Sequence, residues 1–356
     1  MKICFLGDIA SIHLIRWVEY FRDNGHSVSV ISFSNTEISG IEFRYVGEKI
    51  NINSDGGNKQ YLKKINVIKR LIKEINPDVI NAHYLTSYGL IGALIKDRPL
   101  IVSTWGSDIL VTPKRNFMYN KLTKYVLKRA NLVTSDSNFM SNEIENLGYS
   151  RKNIVTVPMG IDTNLFNSYG RVEHENETVF LSMRTLCSNS NIETIIKAFK
   201  KVHEKNKKTK LIITNSGDKK AEILDLIKEM NLEENIEYKG FIPRDVVANL
   251  LKTSDVYISI PTSDSTSVTL LEAMNSGIFP IVSNLPANKE WINDNENGFI
   301  LKKINEDELY NLMIDSIEKK DLINKAKKIN EKIIRNRAIW KDNMASIIYR
   351  YSEILK

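Results

Sequence analysis

The chain has 356 residues, which is too long for one ordinary domain and enough for two of about 150–180 residues each. Its hydrophobic fraction of 42% supports packed cores, and its formal net charge is +7. No apolar run approaches the ~18 residues that a membrane-spanning helix needs. The two cysteines, Cys4 and Cys187, lie too far apart in sequence to indicate a disulfide framework or a metal site, so we expect two small buried side chains in a reducing compartment.

The positive charge is concentrated in the first half of the chain. Residues 1–170 hold about 21 Lys and Arg against about 15 Asp and Glu. Two basic stretches, 63–73 and 114–129, could rest on an anionic lipid surface, although a solvated Lys-rich exterior explains them as well. No nucleic-acid-binding motif is present, so we expect no nucleic-acid partner. The first residues have one Lys and a very short apolar run, which favours a strand over a signal peptide and predicts a cytoplasmic protein, with peripheral attachment to the inner face of the membrane as an open alternative.

The first half alternates between apolar strands and amphipathic helices. This alternation predicts a doubly wound parallel sheet, an α/β fold. The first helix, 11–22, is expected to turn Ile12, Ile15, Val18 and Tyr20 inward, and the polar residues 34–60 are expected to form a loop. The expected strands are 2–6, 28–33, 78–82, 99–104 and 132–135, and the later helices are 61–75, 87–94, 116–129 and 138–147. The segment 154–162 is expected to end the first domain.

The second half restarts the same alternation after residues 165–177, which lose apolar periodicity and read as a linker. We therefore expect domains over 1–167 and 178–337. The expected strands are 178–183, 210–214, 236–238, 256–260, 278–283 and 297–301. The expected helices are 191–204, 221–230, 244–251, a helix that begins near Ser267 and stops at Gly277, a helix beginning at 285, 306–320 and 322–356.

The most informative stretch is the polar loop that follows strand 256–260. It runs from Pro261 into the helix that contains Glu272, so it lies at the carboxyl end of a strand, where parallel sheets bind ligands. The first N–H groups of that helix favour an anion, above all a phosphate. Helix capping alone would also explain the Ser and Asp residues. The candidate ligand groups are Asp264, Ser265, Thr266, Ser267, Val268, Thr269 and Glu272.

Other candidates also follow predicted strands. In the second half they are Arg184 after strand 178–183 and the turn containing Asn215 and Gly217, which could approach phosphate. In the first half, His83 follows a strand end, Trp105 could stack on a sugar or fill a cleft, and Asp108 could accept a hydroxyl hydrogen bond. For His83 a structural role is equally open. The first loop, at Gly7 and Asp8, is not G-x-G-x-x-G, so the sequence gives little support to dinucleotide binding.

Taken together, these motifs resemble the retaining glycosyltransferases of family GT4, over nearly the whole chain. The match consists of the turn at Gly7, A-H-Y at 82–84, W-G-S-D at 105–108, V-P-M-G-I-D at 157–162, Arg184, K-G-F-I-P at 239–243, and two carboxylates with seven residues between them at Asp264 and Glu272. The resemblance implies the GT-B fold, in which two Rossmann-like domains face each other across a cleft. It also implies that the last helix, about 338–356, crosses back to the N-terminal domain and packs there through Trp340 and Tyr349.

The resemblance further implies a role for each matched residue. Glu272 would bind the ribose, Asp264 would face the transferred sugar, and Arg184 would neutralise the diphosphate. Backbone at Phe241 and Ile242 would hold the nucleobase. The loop and first helix of the N-terminal domain would contact the acceptor through Gly7, Asp8, His13, Arg16 and Trp105.

The expected activity is a metal-independent hexosyl transfer from a nucleotide-diphospho-sugar, with a UDP-sugar as the expected donor and no further cofactor. The acceptor would be a glycan or lipid-linked glycan in surface polysaccharide biosynthesis. Neither a D-x-D motif nor a Cys/His cluster indicates a metal.

Three departures from the family pattern leave alternatives open. Residues 188–191, S-N-S-N, replace a usual Lys, Trp105 replaces a usual His, and Asp264 replaces a usual Glu. A non-catalytic glycan- or nucleotide-binding module therefore stays open. So does a sugar-nucleotide epimerase, for which His83 and Asp108 would have to serve as the acid/base pair.

Overall fold

The computed structural model describes residues 1–47, 59–174 and 176–356. The chain divides into two compact units, the first formed by Met1–Pro158 with Met344–Lys356 and the second by Met159–Asn343.

The first unit is a parallel sheet with helices between its strands. Its seven strands follow the order β3-β2-β1-β4-β5-β6-β7, so the strand order reverses direction between β1 and β4. Its strands are β1 Lys2–Leu6, β2 Ser27–Ser32, β3 Glu42–Tyr45, β4 Val79–His83, β5 Leu100–Ser103, β6 Leu132–Ser135 and β7 Ile154–Thr156. Its helices are α1 Ile12–Asp23, α2 Ile65–Ile75, α3 Leu90–Leu94, α4 Ser107–Leu110, α5 Thr112–Arg115, α6 Phe117–Arg129 and α7 Asn138–Asn146.

The second unit repeats this architecture. Its six parallel strands follow the order β10-β9-β8-β11-β12-β13, and the reversal falls between β8 and β11. Its strands are β8 Thr178–Ser182, β9 Thr209–Thr214, β10 Ile236–Gly240, β11 Val256–Ser259, β12 Phe279–Ser283 and β13 Phe299–Leu301. Its helices are α8 Ile192–Lys205, α9 Lys220–Glu229, α10 Arg244–Lys252, α11 Val268–Asn275, α12 Glu306–Glu318 and α13 Lys320–Arg337. Helix α14, Trp340–Ile354, follows α13, and its residues from Met344 onward belong to the first unit.

The α/β class and the two parallel sheets confirm the fold expected from the sequence. Strand β3 lies inside the segment predicted as a loop, and residues 48–58 of that prediction lie outside the described residues. Helix α1 buries Leu14, Trp17, Val18 and Phe21. Of the four residues assigned to its inner face, Val18 is buried, Ile15 and Tyr20 are half-buried, and Ile12 is exposed, so the prediction for Ile12 was wrong. The expected helix at 285 is only a single 3₁₀ turn, Asn288–Glu290.

The segment predicted as a linker instead packs inside the second unit. Phe166 is 1% exposed and belongs to the same hydrophobic cluster as Leu271 of α11. Its carbonyl accepts a hydrogen bond from Asn275 at 2.6 Å. One apolar side chain among polar neighbours anchors this segment in the core. Such a single residue produces no periodic pattern, so the sequence analysis did not detect the packing.

The last helix is held in the first unit by a tyrosine other than the expected one. Tyr349 is 63% exposed, whereas Tyr351 is fully buried and donates a hydrogen bond to Oδ1 of Asn81 at 3.1 Å. Cys4 is buried as expected, but Cys187 is only half-buried. In the part of the chain that the structure describes, no helix is both long and apolar enough to cross a bilayer.

Candidate functional site

The second unit places two charged side chains at its topological switch point. Arg184 follows β8, and Asp264 lies in the loop after β11, the strand that pairs with β8. Parallel sheets bind ligands at the carboxyl ends of strands at such a reversal. The sequence predicted these residues as separate ligands, and the structure joins them: Nη1 of Arg184 lies 2.6 Å from Oδ2 of Asp264.

The Arg184–Asp264 ion pair is mostly shielded from solvent. The two side chains are 18% and 23% exposed. Burial opposes the charge of Arg184, but attraction to Asp264 and Tyr257 and the hydrogen bond to Asp264 outweigh it and raise the pKa of the guanidinium. Arg184 is therefore a permanent, oriented cation, and its guanidinium has five N–H donors, of which the Asp264 contact uses those of one nitrogen at most.

The loop before α11 uses its hydroxyl groups mainly within the protein. Ser265, Thr266 and Ser267 are 2%, 8% and 8% exposed. Ser267 caps α11 by accepting from the N–H of Leu270, and Oγ1 of Thr269 bonds both Ser267 and the buried Tyr257. These contacts hold the first helical turn rigid. The N–H groups of Val268 and Thr269 belong to that turn and have no intrahelical acceptor, as at every helix start.

The S-N-S-N segment at 188–191 clamps this loop. The side chain of Asn189 donates to the carbonyl of Ser263 and accepts from its N–H, both at 2.9 Å. Asn191, in the left-handed region at φ 53°, donates to the carbonyl of Ile260 at 2.9 Å and to Oγ1 of Thr262 at 3.1 Å. The departure from the family pattern therefore has a structural role that spacing alone did not reveal.

We expect Asn189→Ala to loosen this loop. The variant loses two hydrogen bonds to Ser263, which at about 1 kcal/mol each lowers the free energy of unfolding by about 2 kcal/mol. Chemical denaturation measures this change. Asn146→Ala, at an exposed position on α7, serves as the control and should leave stability nearly unchanged. Equal stability of the Asn189 variant and wild type would contradict the clamp.

Glu272 lies on α11 one turn beyond its start, and it is almost fully buried. Its side chain is 4% exposed, and Oε1 accepts a hydrogen bond from Nη2 of Arg244 at 3.1 Å. The Arg244 guanidinium in turn lies 4.9 Å from the ring centroid of Phe166. Arg244 is a site residue that the sequence did not identify, because 28 residues separate it from Glu272 and no motif marks the pair.

The turns after β9 and β10 are close to each other. The N–H of Asn215 donates to the carbonyl of Gly240 at 2.6 Å. A side chain at Gly217 would lie 2.1 Å from the carbonyl oxygen of Leu186, so this glycine is explained by close packing of backbone. Beyond Gly240, Phe241 is 83% exposed while Ile242 packs partly against the core. An exposed aromatic ring beside a turn is available to a planar ligand.

In the first unit, His83 ends β4 inside an aromatic cluster. Its ring centroid lies 5.1 Å from that of Trp17 and 5.4 Å from that of Trp105. Nε2 lies 3.0 Å from Oδ1 of Asn81, which also accepts from Tyr351. Because Nε2 is the donor in that contact, Nδ1 carries the lone pair, and it has no hydrogen-bond partner among the described residues. Burial, with a smaller contribution from His13, lowers the pKa of His83 to about 3.

Trp105 and Asp108 also have structural contacts. The Trp105 ring packs against two imidazoles, with its centroid 5.4 Å from that of His83 and 5.0 Å from that of His13. Asp108 is fully buried, and its two oxygens accept from the N–H groups of Leu85 and Trp105 at 2.9 and 3.0 Å. Burial raises the pKa of Asp108 to about 6 against these hydrogen bonds. His83 is neutral and buried, and the Asp108 oxygens already accept hydrogen bonds from backbone N–H groups. These contacts give no support to an acid/base pair of the kind that an epimerase requires.

The other residues that the sequence analysis assigned to binding of the sugar acceptor lie in the turn after β1 or on α1. Oδ1 of Asp8 accepts from the N–H of Ala10 at 3.0 Å, and His13 and Arg16 are half-buried. A side chain at Gly7 would lie 2.6 Å from Cδ2 of Leu14 and 3.3 Å from Cβ of His83. The turn after β1 therefore lies close against His83.

The His83 pKa predicts how acid affects stability. Between pH 6.5 and 3 the unfolded chain binds a proton at this residue and the folded chain does not, so falling pH disfavours the folded state. At pH 5 the loss is about 2 kcal/mol. Asp108 acts in the opposite direction below pH 6, because its folded form takes up the proton first. The pH dependence of a variant that lacks only the His83 imidazole therefore isolates the contribution of His83.

We expect His83→Phe to lose less stability than wild type between pH 7.5 and pH 5, by about 2 kcal/mol. Urea unfolding followed by tryptophan fluorescence measures the difference, since Trp17 and Trp105 surround this position. His203→Phe, a second buried histidine but in the other unit, is the control. Parallel pH profiles for His83→Phe and wild type would contradict a neutral His83.

Comparison with known proteins matches each half of the chain to a glycosyltransferase family. Residues 2–137 match the family described as glycosyl transferase 4-like, and residues 167–335 match glycosyl transferases group 1. An uncharacterised glycosyltransferase of Methanocaldococcus jannaschii is 27% identical over 38% of this chain and 34% of its own length. The alpha-monoglucosyldiacylglycerol synthase of Streptococcus pneumoniae is 25% identical over 34% of this chain and 27% of its own. These matches span about a third of each relative.

Some solved structures match over nearly the entire length of this chain. HepE of Anabaena, crystallised with UDP and glucose, superposes with a TM-score of 0.82 at 18% identity, over 99% of both chains. At this identity the similarity establishes a shared two-sheet architecture.

Proposed function

Because the chain belongs to the group 1 glycosyltransferases, we propose that it is a retaining enzyme that transfers a hexose from a nucleotide-diphospho-sugar to a glycan or lipid-linked glycan of the cell surface. The observation that carries this proposal is the Arg184–Asp264 pair, which lies at the switch point of the second sheet beside the first turn of α11. The pair and the turn supply a fixed cation and oriented N–H donors, and a diphosphate needs both.

The donor is proposed to bind the second unit. Its diphosphate would contact the donors of Arg184 that Asp264 leaves available and the N–H groups of Val268 and Thr269. Its ribose hydroxyls would donate to Glu272, whose carboxylate is desolvated and oriented by Arg244. The exposed ring of Phe241 is proposed to cover the nucleobase. HepE is solved with UDP-glucose, which supports UDP as the nucleotide to test first.

The proposed reaction breaks the bond between the anomeric carbon and the β-phosphate oxygen. The acceptor hydroxyl oxygen bonds to that carbon on the same face, and its proton passes to the departing phosphate. Charge grows on the phosphate as the bond breaks, and Arg184 with the α11 turn would stabilise it without a metal. Asp264 would orient Arg184 and face the transferred sugar. The acceptor is assigned to the first unit, at Gly7, Asp8, His13, Arg16 and Trp105.

The acceptor is proposed to be lipid-linked and reached from an anionic membrane surface. The excess of basic residues in the first half supports this, and a related protein is named for synthesis of a glucosylated diacylglycerol. This location would make the protein a peripheral membrane enzyme.

A thermal-shift screen of nucleotides and nucleotide-sugars tests the donor. We expect one nucleoside diphosphate family to raise the melting temperature, and radiolabelled transfer to a glycan-lipid mixture to follow with the same donor. NMR of the product should show an α-anomer from an α-linked donor, and EDTA should leave the rate unchanged. Binding of a nucleotide-sugar without transfer or hydrolysis would instead favour a non-catalytic module. If none of them binds, the proposal is wrong.

A further inference from the structure

Helix α6 of the first unit carries two large apolar side chains in water. Phe117 and Met118 are 73% and 76% exposed. They occupy the first turn of the helix, which is fixed rather than frayed, because the side chain of Asn116 caps it by accepting from the N–H of Tyr119 at 3.1 Å. The opposite face of α6 is buried through Thr123, Val126 and Leu127. Packing on that side therefore holds Phe117 and Met118 outward.

Cations continue along the same exposed face. Lys121, Lys124 and Lys128 are exposed and follow Phe117 at intervals of four, seven and eleven residues, so they project on its side of the helix. The ammonium group of Lys121 lies 4.4 Å from the centroid of the Phe117 ring. The sequence has no Asp or Glu between Asp108 and Asp136. This face therefore combines an apolar end with a row of positive charge that no acidic residue of its own segment offsets.

Such a face matches an anionic bilayer better than a protein groove. An interfacial helix buries aromatic and aliphatic groups at the headgroup boundary while Lys side chains extend to the lipid phosphates. Each Lys near an anionic surface strengthens binding by about fivefold. The second basic stretch, on α2, is different: its exposed face includes Glu74, which lies 3.7 Å from Arg70.

We propose that α6 is the membrane-docking surface of this protein, with Phe117 and Met118 inserted at the interface of an anionic bilayer and Lys121, Lys124 and Lys128 on its phosphates. This inference rests on the proposed function, because a lipid-linked acceptor is the reason for the enzyme to bind a membrane. It adds which helix contacts the bilayer and which side chains make the contact. It predicts binding that needs both apolar insertion and negative charge.

Flotation of the full-length protein with vesicles tests this. We expect wild type to float with vesicles of phosphatidylglycerol and phosphatidylcholine, weakly with phosphatidylcholine alone, and less as salt rises. Phe117→Ser with Met118→Ser should weaken partitioning on the order of tenfold or more. Tyr349→Ser removes an aromatic side chain that is 63% exposed in the same unit, and it should bind like wild type.

A charge experiment separates α6 from α2. We expect Lys121→Glu with Lys124→Glu to weaken vesicle binding by on the order of 10²-fold or more, and Lys69→Glu with Lys73→Glu on α2 to weaken it far less. Equal losses from the two pairs would overturn the assignment to α6, and so would failure of wild type to float. Binding of wild type to DNA or RNA of equal charge density, with no preference for vesicles, would also overturn it.

Measuring nucleotide binding distinguishes a failure of the docking proposal from a failure of the proposed function. The Phe117 and Met118 variants should retain the melting-temperature shift that the nucleotide causes, because these residues lie outside the donor site. Vesicle binding through α6 in a protein that transfers no sugar would remove the proposed function and leave the docking surface. Sugar transfer to a soluble acceptor by a protein that does not float with vesicles would exclude the docking surface and leave the glycosyltransferase activity.

Discussion

Replacing Arg184 with Ala is expected to lower kcat/KM by on the order of 10²-fold or more. The reason is electrostatic: the departing diphosphate gains charge in the transition state, and Arg184 is a buried, oriented cation beside the first turn of α11. Arg184→Lys should recover only part of the rate, since a single ammonium cannot hold Asp264 and phosphate with the same geometry. Initial rates with the donor found by thermal shift measure both variants.

Loss of folding must be separated from loss of catalysis. Arg184→Ala leaves Asp264 unpaired in a shielded site, which destabilises the second unit. The double variant Arg184→Met with Asp264→Leu removes both charges, so we expect it to regain stability while staying inactive. Arg335→Ala, at a side chain that is 71% exposed, is the surface control. Near-normal turnover by Arg184→Ala at wild-type stability would exclude this residue from the reaction.

Replacing Glu272 with Gln is expected to weaken donor binding by on the order of 10²-fold. Two ribose hydroxyls donating to a desolvated carboxylate form charge-assisted hydrogen bonds worth about 1.5–3 kcal/mol each, and the neutral amide retains only part of that energy. Isothermal titration calorimetry with the nucleoside diphosphate measures the change. The substitution conserves volume, so packing around α11 should not confound the result.

Deoxyribose analogues locate the interaction. Wild type should discriminate strongly against the 2′-deoxy and 3′-deoxy diphosphates, and Glu272→Gln should lose most of that discrimination. Glu296→Gln, on an exposed turn of the same unit, should behave like wild type. If Glu272→Gln discriminates as strongly as wild type does, the ribose is bound by other residues.

The sequence predicted the alternation of strands and helices well, because buried parallel strands are continuous apolar runs and helices have a distinct period. It failed where tertiary packing decides. On α1, Ile12 and Leu14 are both aliphatic but lie on opposite faces of the helix, so only one of them can face the sheet. Packing against the sheet decides that Leu14 is buried and Ile12 exposed. Tyr349 and Tyr351 differ in the same way.

Within the candidate site, sequence identified residues but not their partners. Arg184, Asp264 and Glu272 lie at the switch point of the second sheet or on the helix that starts there, as their positions after strands predict. The ion pair, the contact of Arg244 with Glu272 and the clamp by Asn189 join residues 28–80 positions apart. Such contacts depend on loop conformation, which no local pattern specifies.

The discontinuity of the first unit affects the order of folding. Its last helix begins at residue 340, and Tyr351 supplies a hydrogen bond to Asn81, which also holds His83. During synthesis this tyrosine leaves the ribosome only after the entire second unit, which is contiguous in sequence, has been made. The second unit can therefore complete its fold first. Until residues 344–356 are added, part of the core of residues 1–158 stays exposed to solvent. A nascent chain arrested before Tyr351 should thus expose the aromatic cluster around His83 to proteases that the released protein resists.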